Sequence, residues 1–315
     1  MRKSPPGGPG SPVPRPLALT LSLTLLGSAC ALIPGKTLRD TDHPLAGRIW
    51  DSAAARFIDE DSLLGRAAQA EVLLLGETHD NPEHHRLQRR MLSITKSGAP
   101  PALLMEQFDI DQQTAIDLAV KNGSEPGALL RGWDHSQYRE LIVAGQAAGM
   151  PLRAANLPRA SLRPVVREGY ASLAVTDIER LGLHAAWDEA REMFMARVIE
   201  ASHCGKAPPQ LRDGLVRAQR LRDATLADSA LGSIERGVVF ILGRGHARRD
   251  VGVPRYIDIR RPGTRMLSIG LVEVSAGKTD PRLYEAERAG ATAPHDILWF
   301  TPGIERPDPC LNFGK

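Results

Sequence analysis

Apolar residues in this chain come in short blocks separated by longer amphipathic stretches. The blocks at 72–75, 102–105, 150–155, 237–242, 265–274 and 297–300 are strand-sized, and Gly, Pro or a polar cluster ends most of them. Between and around them, 110–122, 133–149, 188–201 and 211–234 carry apolar residues at helical spacing. The stretch after the first block is the most explicit. Gly76 breaks the run, Asp80 or Asn81 suits a helix cap, and Pro82 suits the first helical position. Leu87, Met91 and Ile94 then form a stripe, with His84 and Gln88 on the same inward side. Strands alternating with helices predict an α/β fold, a mostly parallel or mixed central sheet with helices on both faces. One interval departs from the alternation. Between the third and fourth core strands, about 162–236, the pattern is helical throughout, which predicts an all-helical insertion.

The N-terminus obeys a different pattern. Residues 1–29 hold Arg2, Lys3 and Arg15, no acidic residue, and then an apolar run, as a secretory signal peptide does. That run falls short of the ~20 apolar residues a membrane-spanning helix needs. It ends in Leu26-Gly27-Ser28-Ala29-Cys30, which resembles a bacterial lipobox with Gly27 where Leu is usual. Lipidation of Cys30 would make the chain an exported lipoprotein held to the membrane by its N-terminal lipid, and the adjacent Ala31 resembles that of lipoproteins sorted to the outer membrane, facing the periplasm or the surface. Ordinary cleavage near Ala29 is the alternative. The leader holds three of the 40 basic residues and none of the 37 acidic ones, so the remainder is formally neutral. That balance offers no basis for nucleic-acid binding by phosphate neutralisation. The expected order is a linker at 31–44, one domain at 45–309 containing the insertion, and a tail at 310–315. Cys204 and Cys310 remain, an even pair that an oxidising compartment permits to bridge; two free thiols are the alternative.

Several motifs fail. Ser275–Thr279 ends like a phosphate loop, but Val272 stands where that loop needs its first glycine. Gly243-Arg244-Gly245 opens like a dinucleotide fingerprint, but Arg248 holds the third glycine position. Neither a Gly-x-Ser-x-Gly elbow nor a His-Glu-x-x-His pair occurs. What survives is an arrangement across strand ends: Glu77 and His79 after the first, Glu106 after the second, Asn156 after the third, His246 after the fourth. In a parallel sheet all five collect at one edge. Two imidazoles with two carboxylates suit a divalent metal held by Glu77, His79, Glu106 and His246. They equally suit a metal-free acid/base site. On the helix at 211–234, Gln219, Arg222 and Asp223 share a face that turns either to this site or to water.

The ordered strings GETHDNPEHHRLQ, MEQFD, AANLPRA, AQRLRDATLADSAL and GRGHARRDVGVPRY resemble the ChaN-like haem-binding uptake lipoproteins of the Tiki/TraB/erythromycin-esterase-like superfamily. The resemblance runs from about 49 to 309. In that superfamily two Gly-x-x-His-type motifs and an intervening glutamate form the site; here they fall on Gly76–His79, Gly243–His246 and Glu106, with Arg244 and the extra Gly245 inside the second. The resemblance implies a haem-binding protein for iron uptake, a cofacial haem pair in a homodimer, and tyrosine ligation of iron. No motif selects among Tyr138, Tyr170, Tyr256 and Tyr284. Tyr138 and Tyr256 are the candidates, the latter because Arg248, Arg249 and Arg255 lie near it in sequence and would stabilise a phenolate. Other branches of the superfamily imply a metal-dependent peptidase- or esterase-like hydrolase using the same site.

Overall fold

The computed structural model describes residues 1–4, 37–92, 99–185 and 187–312. The leader run and Cys30 therefore lie outside the described residues. Everything from Leu38 onward belongs to one unit, Lys36–Lys315. Its elements run β1 (Leu38–Arg39), β2 (Ile49–Asp51), β3 (Arg56–Ile58), α1 (Glu60–Gln69), β4 (Val72–Glu77), α2 (Pro82–Leu92), β5 (Ala102–Asp109), α3 (Gln113–Lys121), α4 (His135–Ala147) and β6 (Leu152–Asn156). The helical insertion follows as α5 (Arg159–Glu168), α6 (Val175–Arg180), α7 (Glu189–Ser202) and α8 (Pro209–Leu231). The chain closes with β7 (Val238–Gly243), α9 (Val253–Arg260), β8 (Met266–Glu273), β9 (Ile297–Thr301) and β10 (Gly303–Ile304).

The main sheet has the order β3-β2-β9-β8-β4-β7-β5-β6. The pairs from β9 to β6 are parallel, while β2 and β3 add antiparallel at the far edge. After β4 the chain goes out to β5 and β6, returns to insert β7 beside β4, and then crosses to β8. Ligand crevices in open α/β sheets lie at such reversals, beyond the carboxyl ends of the strands.

Side-chain alternation divides the core in two. Leu73, Leu75, Leu103, Met105, Val239 and Ile241 point to the face covered by α1–α4, against Leu63, Leu87, Ile116 and Leu141. Val72, Leu74, Leu104, Phe240 and Leu242 point to the opposite face, against Leu162 of α5, Leu221 and Ala224 of α8, and Ile257 of α9. Helices thus cover both faces, as the fully apolar strand blocks require.

Within the stretch 31–44, β1 pairs with β10 in a second, two-stranded sheet. The region after Pro302 is held as well. Arg306 makes paired contacts of 2.7–2.9 Å to Asp80 and 2.7 Å to Glu273. Cys204, in the turn between α7 and α8, is joined to Cys310 with Cα atoms 5.6 Å apart. The edge strand β6 is closed by a side chain: Gln113 of α3 accepts from Ala154 N–H at 2.8 Å and donates to the Leu152 carbonyl at 3.1 Å. Among the described residues no helix is long and apolar enough to cross a membrane.

Candidate functional site

The same alternation that splits the core splits the site. Glu77 continues the parity of Leu73 and Leu75, so its carboxylate turns toward α2 and α4. Its Oε1 accepts from His79 Nδ1 at 2.9 Å, from the Gln107 amide at 3.0 Å and from the Tyr138 hydroxyl at 2.8 Å. Oε2 lies 3.2 Å from His85 Nε2. Glu106 has the parity of Leu104 and turns the other way, toward α8. It accepts from Gly243 N–H at 2.6 Å and lies 3.3 Å from His246 Nε2. The other ring nitrogen of His246 donates to Asp223 at 2.5 Å, and the Gln219 amide lies 3.1 Å from it. The polar face of α8 therefore meets the site. Its remaining member, Arg222, donates at 2.9 Å to Asn156 Oδ1, which also caps Leu157 N–H at the end of β6.

Two glycines make this meeting sterically feasible. A Cβ on Gly76 would come 2.7 Å from the Ala247 Cβ and 3.0 Å from the Arg244 Cα, so the turn after β7 can rest on β4 only if residue 76 has no side chain. A Cβ on Gly243 would fall 2.8 Å from His79 Nε2 and 3.4 Å from Glu106 Oε2. Gly243 keeps open the gap through which the two halves of the site face each other. Gly245, by contrast, has nothing within 4 Å of a Cβ position. Arg244 holds the turn through its backbone, donating from N–H to the Glu77 carbonyl at 2.8 Å, with its side chain exposed.

His84 belongs to the framework. Its Nδ1 accepts from Thr78 N–H at 2.8 Å and its Nε2 meets Thr301 Oγ1 at 2.8 Å. Burial pushes the imidazole down to about 3, so it stays neutral. Glu77, Glu106 and His246 are charged at neutral pH. Burial opposes ionisation of Glu77, but hydrogen bonds from His79 and His85 overcome it and hold the carboxyl down at about 2. Burial is likewise outweighed at Glu106, where the charge and hydrogen bond of His246 hold it at about 2. For His246 burial favours the neutral ring, yet Glu106 and Asp223 together raise it to about 10. His79 is raised too, by Glu77 and Glu106 against its own burial. Its side chain is 36% exposed, which leaves the ring reachable from solvent, edge-on to Trp133 at 4.6 Å between centroids.

These directions fix a pH profile. A carboxyl held at about 2 in the fold and at its ordinary 4.5 unfolded adds stability above about pH 4.5, and loses it as pH falls toward 2. An imidazole raised to about 10 adds its full share below its ordinary 6.5, and loses it as pH rises from there through 10. Thermal melting should peak between pH 4.5 and 6.5 and decline on both sides. His246→Gln should flatten the alkaline decline; an unchanged alkaline limb in that variant would remove His246 as its source.

His79, His85 and His246 each lie against a carboxylate through one ring nitrogen or both. Among the described residues no group of three or more His, Cys, Asp or Glu is arranged to hold a metal ion. The expected axial candidates are also placed unfavourably. Tyr138 is 1% exposed, its hydroxyl is given to Glu77, and burial beside that carboxylate drives its ionisation far up. Tyr256 is fully buried under α8, 3.4 Å from Arg220 Nε; burial pushes it to about 12 despite that arginine. Tyr256 meets Arg220, whereas Arg248 and Arg249 are taken up by Asp250 and Asp296.

A cleft of about 470 Å³ opens instead in the insertion, lined by Tyr170, Met193, Ala196, Val216, Arg217 and Arg220 together with Glu192 and Asp213. Asp213, Val216, Arg217 and Arg220 recur at i, i+3, i+4 and i+7 on α8, a face neighbouring the one that carries Gln219 and Asp223. One helix thus serves both places. No sequence motif marked this cleft; the spacing on α8 alone was available.

A family model described as haem-binding uptake, Tiki superfamily, ChaN, matches residues 63–257. The chain belongs to this family. The match spans the network, from Glu77 to His246, and both walls of the cleft. Among solved structures the chain is similar to one titled as cofacial haem binding to ChaN of Campylobacter jejuni, with TM-score 0.64, 18% identity, 80% of this chain covered and 95% of that one. That likeness shows the fold. Weaker likenesses are to a succinoglycan biosynthesis protein (TM-score 0.40, 14% identity, 68% of each chain) and to a mutant of the erythromycin esterase EreC in an open conformation (TM-score 0.41, 11% identity, 78% and 95%). No curated protein matches the sequence significantly.

Proposed function

We propose that this chain is an exported lipoprotein, anchored through Cys30, that binds haem for iron uptake. The observation that carries the reading is the match to a haem-binding uptake family over 63–257, which includes every element of the site. The geometry is consistent with it in a specific way. Glu77 holds His79, Gln107 and Tyr138, and His246 lies between Glu106 and Asp223, so the network positions α2, α4, α8 and the turn after β7. Iron would then be held away from it.

The test is a haemin titration of the purified full chain, followed at the Soret band, with bound metals measured in the same preparation. A saturable Soret change at one haem per chain, with substoichiometric divalent metal, is expected. No saturable change, together with stoichiometric metal, would reverse the reading. The anchor is checked alongside, since Cys30→Ser should leave the detergent phase in which the parent chain partitions.

One observation supports a second reading. His79 is solvent-reachable while Glu77 holds its Nδ1, the arrangement of an oriented general base. In that reading the chain is a hydrolase of the peptidase or esterase kind. Turnover of ester or amide substrates that is abolished by His79→Ala, without loss of haem binding, would favour it.

A further inference from the structure

We infer that the exposed face of α5 is a docking surface for anionic phospholipid, with Arg159, Arg163 and Arg167 resting on the headgroups of the bilayer that holds the chain by Cys30. The choice of that bilayer rests on the anchored-lipoprotein reading above.

The sequence of α5 makes the first case. Its arginines recur at i, i+4 and i+8, so they form one row along the helix, about 12 Å from first to last at 1.5 Å per residue. All three are exposed, while Leu162 and Val165 between them are buried in the cluster that α8 shares. Each arginine thus has a like charge as its neighbour one turn away, a spacing that weakens a helix. Arg159 adds to the cost. It stands in the first turn, where the helix dipole disfavours a cation, and α5 has neither an acid there nor a side-chain cap. Other helices of this chain open the opposite way, α1 on Glu60 and Asp61, α2 on Glu83, α7 on Glu189 and Glu192.

The fold does not offset this charge. Among the described residues none of the three arginine side chains has an ion pair. The exposed arginines of α2 behave differently: Arg86 pairs with Glu83, Arg89 with Glu140 and Arg90 with Glu60. A small anion could meet one or two guanidiniums of the row. A row of this length is matched by a surface carrying many negative charges, and anionic leaflets attract such basic segments.

The tether supplies a second, independent observation. Only residues 31–37 separate Cys30 from β1, a span of at most about 29 Å when fully extended. Because β1 pairs with β10, which follows β9 directly, the root of the tether lies beyond the carboxyl ends of the parallel strands. Helix α5 starts after β6 at that same edge. Five strand spacings separate β9 from β6, about 24 Å. A bilayer that takes up a lipid on Cys30 is therefore within reach of the Arg159 end of the row.

The test is vesicle co-sedimentation of the full chain carrying Cys30→Ser, which removes the lipid and keeps the arginines. Vesicles of phosphatidylglycerol and phosphatidylcholine are compared with phosphatidylcholine alone. Preference for the anionic vesicles is expected, and it should vanish at 1 M salt, where the screening length falls to about 3 Å. Adding Arg159→Gln, Arg163→Gln and Arg167→Gln together should lower the partition coefficient roughly a hundredfold, about fivefold per arginine. Arg86→Gln, Arg89→Gln and Arg90→Gln remove the same charge from α2 and should leave it unchanged, with circular dichroism melting to confirm that each variant is folded. A second readout is insensitive to how tightly the N-terminus holds: amide exchange over 159–168 should slow on anionic vesicles only. If the α5 and α2 variants bind alike and exchange over 159–168 does not respond to anionic lipid, the row faces water and the inference is overturned. Detergent partitioning of the parent reports separately on the anchor. A parent left in the aqueous phase removes the anchor reading, while the contrast between the α5 and α2 variants still decides the docking surface.

Discussion

Replacing Glu77 with alanine should destabilise the folded chain by about 3–5 kcal/mol, a larger loss than any other single substitution in the network. The estimate follows from what would be stranded. Glu77 is 2% exposed and accepts from three donors at 2.8–3.0 Å, with His85 as a fourth neighbour. Its removal leaves a buried tyrosine hydroxyl, a buried amide and the imidazoles of His79 and His85 without their acceptor. Each buried group so orphaned costs about 1–3 kcal/mol, partly relieved where water enters. The raised affinity of His79 for its proton would also fall. Urea denaturation measures the loss, and NMR titration of the His79 ring measures the second effect. Glu77→Gln should recover part of the stability, because the amide oxygen still accepts, but not the proton affinity. A Glu77→Ala chain as stable as its parent would mean that the network contributes nothing to the fold.

Opening the Cys204–Cys310 bridge should be a change of comparable size. The bridge closes a loop with a sequence separation of 106 residues. For a loop of that length, chain entropy in the unfolded state puts the stabilisation near about 4–5 kcal/mol, an upper figure because denatured chains keep some structure. The folded state should survive. The tail has two other attachments, the β1–β10 pairing and the contacts of Arg306 to Asp80 and Glu273. The expected result is therefore a lower melting midpoint with secondary structure unchanged. The Cys204→Ala, Cys310→Ala double variant should melt where the reduced parent does. If reduction leaves the parent's midpoint in place, the bridge is not stabilising the protein.

The strands that carry the site were legible because each is an apolar run cut off by polar residues, and those residues are the site. Glu77, His79, Glu106 and His246 could be assigned to one sheet edge from sequence, but Tyr138, Gln107 and His85, the further partners of Glu77, could not. Tyr138 lies 61 residues from Glu77, and its place on the inward side of α4 says only that it is buried. Whether Gln219 and Asp223 meet His246 depends on how α8 is rotated against the sheet. That rotation is set by Leu221, Ala224 and the other apolar contacts along its length. The short antiparallel strands β2 and β3 were missed for a simpler reason, since three residues are too few to show a period. Helix α9 was hidden by Pro254, which reads as a turn but sits in its first turn. Tyr256 was a candidate through its sequence proximity to arginines, and it turned out to face the core.

The side-chain amide of Gln113 has a consequence at the scale of many molecules. An exposed edge strand offers a row of backbone donors and acceptors on which another chain can add a strand, and proteins that crowd at a surface are at risk from such templating. At β6 the Ala154 N–H and the Leu152 carbonyl are already occupied by that amide, as they would be by a neighbouring strand. The opposite edge is three residues long, with Arg48 lying 3.6 Å over the ring of Phe57. The sheet is thus closed to polymerisation at one side by a single glutamine and at the other by brevity and a covering cation. Strand addition is thus disfavoured at both edges of the main sheet.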